Sequence, residues 1–447
     1  METTPDIEVG IILMQPQIHF AVFGRYADAN GVAIGGGILH VASLSGNKIA
    51  WNGQLHDELL FTPQDETAYF ELKDVTIGVQ FHWQRKEVQR FRGKLKIMVE
   101  EGQLTAVNLI SIEDYLQSVI SSEMSATASL EFLKAHAVIS RSWAMNIIRK
   151  AEARKAGITA DEQAQSATPQ CGDAYIRWYN SESHKFYHVC ADDHCQRYQG
   201  TLRTTTSTAV EAVKATRGEV LTYGDEICDA RYSKCCGGAM ELFSTGWEDR
   251  DYPYLNAGLD TAANRALPNL TNEKEAERWI RSAPEAFCNT HDQQVLSQVL
   301  NNYDQETTQF YRWQVRYTQE QLSDLILRKL GVDFGQIIDL IPIERGTSGR
   351  LKRLQIKGTM CNLIIGKELE IRRTLSESHL YSSAFVVDKT FGSDKRIPAA
   401  FTLTGAGWGH GVGLCQIGAA VMGAQGYNYK DILRHYYQGA VIKALYE

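Results

Sequence analysis

Five side chains able to bind a soft metal ion fall within the twelve residues from His184 to Cys195 of "SHKFYHVCADDHCQRY": His184, His188, Cys190, His194 and Cys195. Two thiolates with one or two imidazoles make the donor set of a tetrahedral zinc site. The spacing is not the paired C-x-x-C form, so a disulfide or unconnected residues remain the alternatives. A closed set of four ligands would be structural, whereas three ligands and a water would leave room for chemistry.

Three further groups carry chemical potential. Glu123 sits among Val119, Ile120 and Met124, just before a break in a helical pattern. A carboxyl in apolar surroundings keeps its proton towards neutral pH, as a general acid must, although a lone Glu also suits a solvated helix end. Arg141 shares one helical line with Leu130, Leu133, Ala137, Ala144 and Ile148. A guanidinium there requires a carboxylate, an array of carbonyls or an anionic ligand, and a structural ion pair is the plain reading. In "DARYSKCCGGAMEL", Tyr232 and Lys234 lie two apart, hence on one face of a strand. Cys235 and Cys236 are adjacent and read as small buried thiols.

Near the C-terminus, "GAGWGHGVGLCQIGA" puts glycine at every second position from Gly405 to Gly413. The order does not match a nucleotide-binding G-x-G-x-x-G. A period of two predicts a strand with one bare face and with Trp408, His410, Val412 and Leu414 together on the other. Trp408 would then stack on a ligand ring or belong to the core.

The elements that must position these residues follow from periodicity. Residues 8 to about 110 contain β-like runs broken by turns such as "GNKIAWNG". From Ile112 the period becomes helical, and "SLEFLKAHAVISRSWAMNIIRKAEARKAG" predicts a long helix with Ser129 as N-cap and Gly157 as its stop. Residues 260–345 read as a helical elaboration. Strands and helices do not alternate regularly, which predicts an α+β fold. The expected organisation is a β-rich N-terminal region at 1–104 and a mixed α+β region at 105–447, with 260–345 inserted or elaborated.

Taken together, residues 112–145, 190–242 and 407–442 resemble the sporulation stage II protein D and amidase-enhancer (SpoIID/LytB) family of bacterial cell walls. The resemblance implies roles residue by residue. Glu123 falls on the family's catalytic acid, Arg141 on its arginine, and Tyr232 and Lys234 on its Tyr-x-Lys. Cys190, His194 and Cys195 fall on its zinc cluster, with His184 the preferred fourth ligand over His188 and the zinc expected to be structural. Trp408, His410 and Gln416 lie in its glycine motif and are expected to bind substrate. "SEMS" replaces the common E-M-P at the break after Glu123.

The implied activity is that of a peptidoglycan lytic transglycosylase on peptide-stripped glycan strands, forming 1,6-anhydro ends. One enzyme carboxyl suffices there, because the sugar's own 6-hydroxyl attacks. The family's other branch implies a non-catalytic enhancer of a cell-wall amidase, and a zinc hydrolase is a third reading. A net charge of -7 with both signs interspersed gives no footprint for nucleic acid. No apolar run is long enough for a transmembrane segment, and the N-terminus carries no recognisable signal peptide, although the family implies the cell envelope or periplasm.

Overall fold

The computed structural model describes residues 4–78, 84–125, 127–156, 168–179, 184–192, 195–201, 207–263, 265–299 and 309–447. Gly157 and His194 lie outside the described residues. The fold is α+β and opens with a β-rich region, as the pattern predicts.

Two sheets make up that region. One runs in the order Val189–Cys190, Asp6–Gln15, Gln103–Ser111, Lys94–Glu100, Glu58–Pro63, Tyr26–Ala27 and Ala33–Ile34. The other runs Arg85–Phe91, Tyr69–Ile77, Gln17–Phe23, Leu39–Ser45, Lys48–Trp51 and Gln54–His56. Their hairpins have a local cause: Asn52 and Gly53 both have positive φ, at 47° and 77°, which lets Trp51 pair with Gln54 across a two-residue turn. Phe20, Phe61, Phe70, Leu72 and Ile97 from the two sheets share one core, which continues through the helices to Tyr446. The expected boundary at residue 104 falls inside the strand Gln103–Ser111.

Helix α1 (Ile112–Glu123) starts where the helical period begins, with the Ser111 side chain accepting from the Asp114 N–H. It ends at Glu123 because Met124 turns extended, with φ -118° and ψ 153°. Helix α2 (Leu130–Lys155) has the predicted N-cap, Ser129 accepting from the Phe132 N–H, and carries Arg154 and Lys155 in its last turn. The structure corrects the single apolar stripe expected of α2: Ala135, His136, Ser140, Ser142 and Trp143 are buried as well as Leu133, Ala137, Arg141, Ala144 and Ile148, while Leu130 is half-buried. Its small residues let neighbours close in on several sides, among them α3 (Ser207–Ala215) and the strand Glu219–Tyr223.

The elaboration contains α4 (Glu273–Arg281), α5 (Gln293–Val299) and α6 (Gln319–Leu330). A second core, including Leu322, Ile326, Leu354, Ile356, Leu363 and Phe401, joins α6 to a four-stranded and a three-stranded sheet and to α7 (Glu368–Thr374). A disulfide links Cys171 to Cys361 on this side, and the other seven cysteines form none. The chain closes with α8 (Gln416–Ala424) and α9 (Tyr429–Tyr436), both against α2.

Candidate active site

Glu123 is half-buried at the end of α1, where its Oε1 accepts from the Arg197 N–H at 3.0 Å. The turn that follows is tied down by Ser125, whose N–H donates to the Gln298 carbonyl at 3.0 Å. Lys234 donates from Nζ to the next carbonyl, that of Val299, at 2.6 Å. Two consecutive carbonyls at the C-terminal end of α5 therefore gather the Glu123 turn and Lys234. Such a helix end carries partial negative charge and favours an ammonium.

Tyr232 and Ser233 pair in parallel with Leu414 and Cys415, which sets the Tyr-x-Lys strand beside the start of α8. The Tyr232 ring meets the edge of His136 at 4.8 Å between centroids. His136, which the sequence did not single out, is fully buried on α2. Burial first, and the nearby Lys234 charge second, lower its pKa to about 3, so the ring is neutral. The buried Gln416 amide nitrogen lies 3.1 Å from His136 Nε2, and an amide nitrogen can only donate. Nε2 is thus the acceptor, and Nδ1 carries the proton towards Ser140 Oγ at 3.2 Å. Gln416 is held inside the protein, where it links α8 to α2.

Arg141 makes the ion pair that a guanidinium on an apolar helix line requires. Its Nε and Nη2 donate to Glu113 Oε1 and Oε2, each at 2.9 Å, and Nη1 donates to the Glu219 carbonyl at 3.1 Å. Arg141 has no exposed surface and Glu113 is 6% exposed. Desolvation alone would raise the Glu113 pKa; the hydrogen bonds and charge of Arg141, with the Tyr446 hydroxyl, override it and hold the carboxyl below its ordinary value. The geometry is the structural ion pair, joining α1 to α2 behind Glu123.

The glycine-alternating segment departs from its expected form. The strand Pro398–Ala406 takes in only its first glycine, Gly405, and Gly407, Gly409, Gly411 and Gly413 all have positive φ, between 71° and 90°. The period of two arises from alternating left-handed backbone, which only glycine adopts freely. Trp408 and His410 consequently do not share a strand face. Trp408 packs between Phe310 and Tyr381, at 4.8 and 4.7 Å, while His410 meets Trp247 at 4.9 Å. Burial, with Arg231 and Arg350 nearby, keeps His410 neutral.

Arg350 is the residue that holds this segment, and nothing beyond its place in "SGRLKRLQIKG" marked it. Fully buried, it donates to the carbonyls of Gly409 at 3.0 Å and Cys236 at 3.1 Å, and to Ser348 Oγ at 2.9 Å. Ser348 in turn donates to the buried Glu241 carboxylate at 2.7 Å. A Cβ on Gly413 would collide with the Arg231 carbonyl, whereas one on Gly426, also at positive φ, would meet open space. Gly413→Ala is therefore expected to destabilise by at least about 1 kcal/mol more than Gly426→Ala, read as the difference in urea midpoints at equal slope.

The Cys/His segment lies on the edge of the first sheet, where Val189 and Cys190 pair with Val9 and Gly10. His184, Cys190 and Cys195 bring one ligand atom each within 4.8 Å of one another. Thiolates at about 2.3 Å from a tetrahedral zinc stand about 3.8 Å apart, so the donor set fits. His188 is directed elsewhere: its Nδ1 accepts from the Glu8 N–H at 3.1 Å. Immediately after Cys195, Gln196 bonds Tyr115 and the Ser140 carbonyl, and Arg197 supplies the N–H to Glu123. The cluster thereby sets the backbone that holds the candidate acid. The cleft lined by Tyr175, Arg177, Glu370 and Arg373 lies elsewhere, beside α6 and α7, and contains none of these groups.

Residues 100–223, which hold α1, α2 and the Cys/His segment, match the family described as Stage II sporulation protein. That region is similar to the SpoIID family domain, in line with the resemblance carried by its motifs. Residues 241–413 match a domain of unknown function (DUF8618). The chain is 26% identical over 339 residues to the amidase enhancer of Bacillus subtilis (strain 168), covering 73% of this chain and 40% of that protein. It is 24% identical over 340 residues to stage II sporulation protein D of the same organism, covering 75% of this chain and 76% of that protein. The stage II sporulation protein D of Bacillus amyloliquefaciens is 25% identical over 340 residues, covering 75% of each.

Proposed function

We propose that this chain works on the bacterial cell wall as a lytic transglycosylase of peptidoglycan glycan strands, with Glu123 as its acid and base. The observation that carries the reading is the gathering of the Glu123 turn and Lys234 on the carbonyls of Gln298 and Val299, with Tyr232 two residues before Lys234. Glu123 protonates the glycosidic oxygen as the bond to the anomeric carbon breaks. The same carboxylate then takes the proton of the 6-hydroxyl as that oxygen bonds to the anomeric carbon, so no water is consumed. Tyr232 and Lys234 are the candidate hydrogen-bond donors to sugar hydroxyls and to the departing glycosidic oxygen, on which negative charge develops. Trp408 and His410 border the same segment and are the candidate sugar contacts.

A zinc ion held by His184, Cys190 and Cys195 would act structurally, fixing the loop that presents the Arg197 N–H. Removing it with a chelator, or by Cys190→Ser, is expected to lower the melting temperature, with activity falling only as that loop loosens; immediate loss at unchanged stability would assign the metal to the chemistry instead. An envelope location accords with a wall substrate. Among the described residues, no helix is long and apolar enough to cross a membrane.

The name of one relative, amidase enhancer, supports a second reading, in which the chain binds wall and stimulates an amidase. Purified chain incubated alone with peptide-stripped glycan should release soluble fragments if it is the enzyme. Release absent alone, together with a faster amidase when the chain is added, would favour the enhancer.

A further inference from the structure

Cys236, Cys288, Cys415 and Asp260 lie on four separate segments, yet each brings a ligand atom within 4.8 Å of the others. All four are buried, at 2%, 1%, 0% and 0% exposure. Cys236 Sγ and Cys288 Sγ stand 3.6 Å apart, the separation of two thiolates sharing one ion. We propose that these four residues form a second metal site, a closed tetrahedral one that takes zinc through three thiolates and one carboxylate.

The surroundings are those of a bound ion's outer shell. The Cys236 N–H donates to Cys415 Sγ at 3.2 Å. Asp260 accepts from the Tyr436 hydroxyl at 2.7 Å and from the Cys288 N–H at 3.0 Å, which fixes its carboxylate facing the sulfurs. Gly418 lets α8 approach this closely, since a Cβ there would sit 2.7 Å from Asp260 Oδ1 and collide with the Tyr436 hydroxyl. Among the described residues, the cation-capable side chain within 4.0 Å of Asp260 is His435, at 3.7 Å. A carboxylate without exposed surface requires a compensating charge, and a divalent ion supplies it. The sulfur-rich, closed donor set matches zinc more than calcium or magnesium, which take oxygen ligands.

This ion would also clamp the candidate active site. Cys236 lies two residues after Lys234, and Cys415 immediately precedes Gln416. Holding both to one centre fixes the register in which Tyr232 pairs with Leu414 and Lys234 reaches Val299. The site stands independently of the glycan chemistry, because its test reads bound metal and not cleavage.

The deciding protein is the full chain with Cys190→Ser and Cys195→Ser, which silences the first cluster. Prepared under reducing conditions, it should retain one zinc per chain by elemental analysis. Cobalt exchanged into it should give intense sulfur-to-metal absorption, lost on adding Cys288→Ser and kept on adding Cys235→Ser. Absence of zinc and of that absorption in the folded protein overturns the proposal, as does peptide mapping of a Cys236–Cys288 disulfide in the native chain. Should the silenced chain not fold, native mass spectrometry of the unmodified chain and of Cys288→Ser decides: the variant is expected to carry one metal ion fewer, and equal metal content overturns the site.

Discussion

Glu123→Gln is expected to remove glycan cleavage while leaving the fold intact. Positioned proton transfer contributes about 10²- to 10⁴-fold, and in this mechanism one carboxyl performs both transfers, so a loss of at least about 10³-fold is expected. The amide has nearly the shape of the acid, and its oxygen can still accept from the Arg197 N–H that now meets Oε1. The helix end and the turn to Ser125 should therefore survive, and the melting temperature should stay near that of the unmodified protein. Undiminished cleavage by the variant would remove Glu123 from the reaction.

Arg141→Ala is expected to fail by another route, through the fold. The substitution leaves the Glu113 carboxylate buried with Tyr446 and the Gly218 N–H but without its cation. Breaking a buried pair in this way costs about 3–5 kcal/mol, a large share of a typical domain's 5–15 kcal/mol. Arg141→Lys should rescue little, since a single ammonium cannot make both contacts to Glu113 and reach the Glu219 carbonyl. The pair also fixes a pH dependence. Because the folded Glu113 pKa is depressed, its contribution is complete above the unfolded value of about 4.3 and is lost as pH falls through the folded value. Urea titrations of the two variants, with activity followed in parallel, separate the roles: activity should track the folded fraction. A stably folded Arg141→Ala protein that has lost cleavage would give the arginine a direct part in the chemistry.

Much of the scaffold was legible because it is local. The onset of α1 at Ile112, its end after Glu123 and the Ser129 cap all follow from neighbouring residues. The glycine segment misled for a physical reason: a strand with one bare face and a chain with alternating left-handed residues leave the same period in the sequence. Arg141 was recognisable as needing a partner, but the choice of Glu113 depends on how α1 packs on α2. His136 and Arg350 carried no signal, since a lone histidine in a helix and an arginine in a basic strand have many ordinary explanations. The Cys236, Asp260, Cys288 and Cys415 cluster was invisible because its members come from four distant segments with no common spacing. The Cys/His segment was visible because its members are neighbours, and geometry then separated His184 from His188.

In the proposed mechanism Glu123 serves an internal attack by the substrate's own hydroxyl. The most direct test is the mass of the ends released from peptide-stripped glycan by the purified chain alone, in water enriched with heavy oxygen. Internal attack yields anhydro ends, one water lighter than hydrolysed ends and free of the heavy isotope; hydrated ends carrying it, or no released ends at all, would exclude that mechanism.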